Sequence, residues 1–288
     1  MTTALTWPGD SETLIRWIRV SLQPSDAETV RGLDDVRITA DVSGADVENL
    51  LIDATGVDLS LHPERELPAV TPPPAEPEVV QRTRGNLRTA RITAEPMRIE
   101  GISLRFDLRL HDAAVDWLLH AEPVDPAHPE TIHGMDLAND GAGMHGSVTA
   151  SLRSDDLAPL LTAVIRPLLE SGGIHLRSLD ATVVQDGADG IRIEGAAGIR
   201  WRLLGASARG SARIGVSSDG VVAVRDLELG SRNPLVAFAL RMIRRQVRAQ
   251  IGKTIDLNED LPLDGDGPRL TDVRVTARDD LSVSARLG

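Results

Sequence analysis

The sequence has no cysteine and no tyrosine, and aromatic residues make up only 2% of its 288 positions. Without thiols it forms no disulfide, holds no metal through thiolate and performs no thiol chemistry. Four Trp and two Phe are its whole aromatic stock, so the interior has to be aliphatic, built from Leu, Val, Ile and Ala. Positive net charge is missing too. The formal value is −12, which opposes general affinity for nucleic acid, and no nucleic-acid partner is expected. No apolar run approaches the length of a membrane span. The first residues, MTTALTWPGDSETLIRW, lack the basic and apolar regions of a secretory signal. The expectation is a cytoplasmic protein, with peripheral contact to a membrane surface left open.

What is present is a globular share of apolar residues, 41%, enough to fill a substantial core. One pentapeptide recurs three times: VRITA (36–40), ARITA (90–94) and VRVTA (273–277). Its alternation puts Val, Ile and Ala on one side and Arg and Thr on the other, as in a half-buried strand. The echo extends further, since DLSLH follows the first copy and DLRLH the second. That pattern fits either a diverged duplication or two strands that drifted to similar letters.

Around these strands the chain reads as one domain over 1–288. SETLIRWIRVSL is a helix capped by Asp10 or Ser11, with Leu14, Trp17, Ile18 and Leu22 on one face. HDAAVDWLLHA reads as a second short helix. A Pro-rich loop is expected over 63–86 and another long loop over 121–146. SDDLAPLLTAVIRPLLESGG is a helix that Pro167 should kink or end. A meander follows, its breaks marked by Asp186-Gly187, Asp189-Gly190 and Asp219-Gly220, dipeptides that accept positive φ in hairpins. Then come the helix NPLVAFALRMIRRQVRAQIG and a closing hairpin, LTDVRVTARDDLSVSARLG. This order predicts an α+β fold in which a long curved antiparallel sheet wraps around helices.

Chemistry-bearing motifs are scarce. His120, His128, His133 and His145 lie in or beside a loop at irregular spacing, without an HExxH or HxH pattern. GASARG (205–210) lacks the closing glycine of a nucleophile elbow. No phosphate-binding glycine loop is present, and NEDLPLDGDG misses the ordered ligands of a calcium loop. No catalytic residue, metal ligand or cofactor is assigned. A lipid hydrolase would need a nucleophile and base that meet only in space.

Two helices carry the functional expectation. Leu157, Leu160, Leu161, Val164, Ile165, Leu168 and Leu169 make the first apolar over more than one face, which suits either a central core helix or one lining a cavity. In the second, Val236, Leu240, Ile243, Val247 and Ile251 oppose a stripe of Arg241, Arg244, Arg245 and Arg248. That stripe reads as a solvated face or as a contact for lipid headgroups or an acidic partner.

The stretch 146–288, with GSVTASLRSDDLAPLL, the Asp-Gly-bearing meander and DLNEDLPLDGDGPRLTDVRVTARDDLSVSARLG, resembles the lipomannan elongation factor family of actinobacterial and cyanobacterial proteins. LDDVRITADVSGADVENLLIDATGVDLSL resembles that family's N-terminal strands, and about two-thirds of the chain is covered. The resemblance implies a curved sheet wrapped on long helices, similar to the tubular lipid-binding (TULIP-like) proteins, with lipid tails held between helix and sheet. The resulting expectation is a non-enzymatic binder of a lipid or other hydrophobic small molecule. Its groove would be lined by Leu157, Leu160, Leu161, Val164, Ile165, Leu168, Val236, Leu240, Ile243 and Val247. The alternative is a structural protein that binds a partner, or its own copy as a homodimer, through a sheet edge or the basic helix face.

Overall fold

A computed structural model of the chain describes residues 7–23, 30–59, 77–99, 101–138, 143–171, 174–201, 204–231, 254–259 and 268–288. The first helix forms as its sequence dictates. In α1 (Ser11–Ser21), Asp10 caps the start by accepting from the Thr13 N–H at 2.9 Å, and Leu14 and Ile18 are buried. The strands β1 (Val30–Arg31), β2 (Arg37–Ser43), β3 (Asp46–Asp53) and β4 (Asp58–Leu59) follow, then the long pair β5 (Val79–Ile99) and β6 (Ile102–His120). Next come β7 (His133–Leu137), β8 (His145–Arg153) and α2 (Leu157–Ser171). The meander supplies β9 (Ile174–Gln185), β10 (Gly190–Trp201), β11 (Leu204–Val216) and β12 (Val221–Ser231). Last are β13 (Thr254–Asp256), β14 (Leu270–Ala277) and β15 (Asp280–Leu287).

Two open sheets result. The ten-stranded sheet runs β1-β4-β5-β6-β8-β15-β14, with β3 also on β5, β2 on β3 and β7 on β6. The five-stranded sheet runs β13-β12-β11-β10-β9. All neighbours are antiparallel except β3 and β4, which both run parallel to β5. With 65% of the chain in strands and two short helices described, the fold is mostly β. The curved antiparallel sheet is present; the α+β expectation holds only in part, because strands dominate and the two described helices are short.

Two apolar cores fill the space between elements. The first gathers Trp7, Leu14, Ile18, Val36, Ile38, Val47, Leu87, Val115 and Trp117 beneath α1. The second joins Ile102, Leu152 and Leu157 to Val183, Ile191 and Val216 of the five-stranded sheet and to Val273, Val275 and Ala277 of β14. Each large aliphatic side chain buried there contributes about 1.5–3 kcal/mol. The β5–β6 hairpin, with strands of 21 and 19 residues, extends over roughly 60 Å at about 3.3 Å per residue and reaches both cores.

The three pentapeptides all lie in the ten-stranded sheet with their apolar letters inward. Val36 and Ile38 enter the first core; Val273, Val275 and Ala277 enter the second. ARITA pairs directly with DLRLH across the hairpin, and its Arg91 meets Asp107 at 2.9 Å. VRITA has no such relation to DLSLH: it pairs with β3, while Asp58–Leu59 of β4 lie beside the far end of β5. The letters repeat, but the pairing does not.

Two expectations about local structure are corrected. HDAAVDWLLHA is the end of β6, since Ala113, Val115 and Trp117 alternate into the first core at period two. Within the expected loop 63–86, residues from Val79 onward belong to β5, and within 121–146, His133–Leu137 form β7. Pro167 does not end α2, which continues to Ser171. The turns fall where expected, with Gly187 at φ 78° and Gly220 at φ 88°.

The free edge of β14 is closed in an unusual way. Leu270 N–H donates to Asn258 Oδ1 at 2.6 Å, and Asn258 Nδ2 donates back to Leu270 O at 3.4 Å. Val273 N–H donates to Ser218 O at 3.0 Å. Gln185 Nε2 donates to Val275 O at 3.3 Å, and its Oε1 accepts from Ala277 N–H at 2.9 Å. Two side-chain amides and one loop carbonyl therefore stand in for a neighbouring strand. They satisfy polar groups that an exposed edge would leave open.

Candidate functional site

α2 packs against β9, the edge strand of the five-stranded sheet. The sheet face turned inward is aliphatic: Leu176, Val183, Ile191, Ile199, Ala208 and Val216 are buried, with Ala181, Ile193 and Ile214 half-buried. Alternation explains this: Ile191, Ile193 and Ile199 of β10 share one side with Ala181 and Val183 of β9, and a register shift between Gly198 and Ile199 brings Leu176 to the same side. On the helix, Leu157 is 2% exposed, whereas Leu160 and Leu161 remain half-buried at the margin of the second core. Ala163 and Arg166 face away from the protein, and Thr162 Oγ1 donates to the Ala158 carbonyl at 2.8 Å.

Of the groove residues expected from sequence, Leu157, Leu160 and Leu161 are thus brought together with the inner sheet face. The side chains of Val164, Ile165 and Leu168 lie outside the described residues, as do Val236, Leu240, Ile243 and Val247 and the arginines Arg241, Arg244, Arg245 and Arg248.

The opposite face of the same sheet holds a cavity of about 720 Å³. Thr182, Glu194, Ser211 and Glu228 form one cross-strand row along it, and Asp180 and Arg209 flank that row. Gly195 and Gly210 pair directly in its floor. Their side-chain positions and that of Ala181 lie on the inward face, so no side chain rises from the floor there. Carboxylate, guanidinium and hydroxyl groups line this hollow along with small residues. Smaller hollows of about 240 and 190 Å³ lie on the polar face of the ten-stranded sheet, beside the ion pairs of Arg105 with Asp280 and of Arg286 with Asp272.

A third cluster was invisible to sequence spacing. Trp7 lies edge-on to both Trp17 and Trp117 and stacks on His133 with ring centres 4.2 Å apart. The three indoles each donate to a backbone carbonyl: Trp7 to Gly134, Trp17 to His133 and Trp117 to Ala45. His120 is 7% exposed, with Nδ1 3.2 Å from the Pro77 carbonyl. Burial, reinforced by neighbouring His120, holds the His133 imidazole below its ordinary pKa, and its Nδ1 is buried without a partner. With every indole donor used on backbone, this cluster clamps α1 and the preceding segment onto β7. The signal available in the sequence was the A-x-V-x-W alternation at 113–117.

Among the described residues no three His, Asp or Glu side chains come together as a metal cluster. No described helix is long and apolar enough to cross a membrane. Comparison of the chain with protein-family models, with curated proteins and with solved structures finds no match in any of the three.

Proposed function

We propose that the chain binds a lipid or other hydrophobic small molecule without catalysing a reaction, its apolar part lying along α2 against the inner face of β9–β11. The observation that carries this reading is the half-exposure of Leu160 and Leu161 on a helix laid over an aliphatic sheet face. Apolar surface left partly wet at such a junction favours an apolar occupant, at about 0.8 kcal/mol per buried CH₂. In this reading the basic stripe Arg241, Arg244, Arg245 and Arg248 serves the headgroup or a membrane surface.

Organic extraction of the purified protein, followed by mass spectrometry against a mock purification, is the test. A near-stoichiometric lipid is expected, and Leu161→Asp should lose it while retaining the native unfolding midpoint. A folded wild-type protein that yields no more lipid than the mock, and takes up no fluorescent fatty acid, would overturn the reading. A second reading rests on β9, whose outer edge pairs with no strand among the described residues. Light scattering that gives a ligand-free dimer would favour that edge as an interface between copies.

A further inference from the structure

On the ten-stranded sheet, His111 of β6 stands directly opposite His145 of β8. Directly opposed residues of antiparallel strands bring their Cβ atoms to about 4.5–5.5 Å. Here the two imidazoles are stacked, ring centres 5.2 Å apart and planes 23° apart. Neither ring belongs to an apolar core; His145 is exposed and His111 half-buried. The pair is therefore held together at the surface by strand register.

The protonation of one ring is fixed by its neighbour. His145 Nδ1 lies 3.1 Å from the Gly143 carbonyl, which the left-handed glycine (φ 91°) turns toward it. A carbonyl can only accept, so in the neutral ring Nδ1 carries the hydrogen and Nε2 keeps its lone pair. A backbone acceptor on the second ring nitrogen is the arrangement that orients metal-binding histidines.

We propose that His111 and His145 form a two-imidazole site for a late first-row divalent cation, with water completing its coordination. Metal–nitrogen bonds of about 2.0–2.1 Å set the two donor nitrogens roughly 3 Å apart. Cβ atoms about 4.5–5.5 Å apart on directly opposed strand positions put two imidazoles within reach of one ion. Imidazole donors favour copper(II) over nickel(II) and zinc(II), and give magnesium or calcium nothing they prefer. The bound ion bridges β6 and β8, so it stabilises the folded chain in proportion to its occupancy. This site lies apart from α2 and stands or falls independently of the lipid reading.

The test is calorimetric titration of the full chain with copper(II) chloride and, separately, magnesium chloride in a non-coordinating buffer. One equivalent of copper should bind, magnesium should not, and copper should raise the thermal midpoint. His111→Gln and His145→Gln should each weaken that binding at least tenfold and abolish the thermal shift. His175→Gln, on β9, should leave both unchanged. The metal-free midpoints of the two surface variants establish that they fold. Wild-type protein that binds no copper, or either variant binding it as tightly as wild type, would overturn the site.

Discussion

His133 shows how a single residue ties local chemistry to stability. Its folded-state pKa is lowered, so the folded protein holds the ring neutral while the unfolded chain protonates it near the ordinary value of 6.5. As pH falls through that range the unfolded state gains a proton that the folded state resists, and stability declines. The carboxylates with lowered pKa, such as Asp107 beside Arg109 and Arg91, lose their contribution only as pH falls below the ordinary carboxylate value of 3.8. The two windows are separate. Thermal midpoints should therefore fall between pH 7.5 and pH 5, and the fall should shrink in His133→Phe, which keeps the stack on Trp7. Gly85 makes a second residue-scale prediction: a methyl group there meets Ala45 O and Trp117 Nε1. Gly85→Ala should cost about 1–3 kcal/mol in denaturant unfolding through overpacking and through loss of the Trp117–Ala45 hydrogen bond. None of this was legible in the sequence, because the indoles of Trp7, Trp17 and Trp117 find their acceptors 127, 116 and 72 residues away.

Elements with strong local signals formed where the sequence placed them. Asp10 caps α1, the Asp-Gly turns close the meander, and the inward letters of the three pentapeptides are buried or, at Ala40 and Ile92, half-buried. What failed was the segment 111–121, whose Ala and Leu content favours helix while its Ala113, Val115 and Trp117 alternate as a strand. Pairing with β5 on one side and β7 on the other decided the outcome, as tertiary context overrides weak propensity. Of the expected site, Leu157, Leu160 and Leu161 were legible as an apolar helix face; that two of them stay half-exposed depends on packing with distant strands. The closure of β14 was not legible either, since nothing marks Gln185 or Asn258 as strand substitutes. Replacing Gln185 with Leu leaves the Val275 carbonyl and the Ala277 N–H without their partner. That should cost about 1–3 kcal/mol and speed hydrogen exchange at Ala277.

At the scale of the molecule, the two cores differ in how much chain they require. The first is assembled from residues between Trp7 and Met144, whereas the second combines Ile102 with Ala285. The β5–β6 hairpin enters both, so loss of one core weakens the other's support. Heating should produce one transition, with tryptophan fluorescence, to which Trp7, Trp17 and Trp117 of the first core contribute alongside Trp201 of β10, coinciding with far-ultraviolet circular dichroism, which reports both sheets. Separate midpoints would show the cores to be independent. The same geometry has a consequence during synthesis. As the chain leaves the ribosome, the N-terminal half holds every strand its core requires once Met144 has emerged. The hairpin's far end, with Ile102, is then covered in stages by β8, α2 and the meander, and its core is complete only when β14 and β15 arrive more than a hundred residues later.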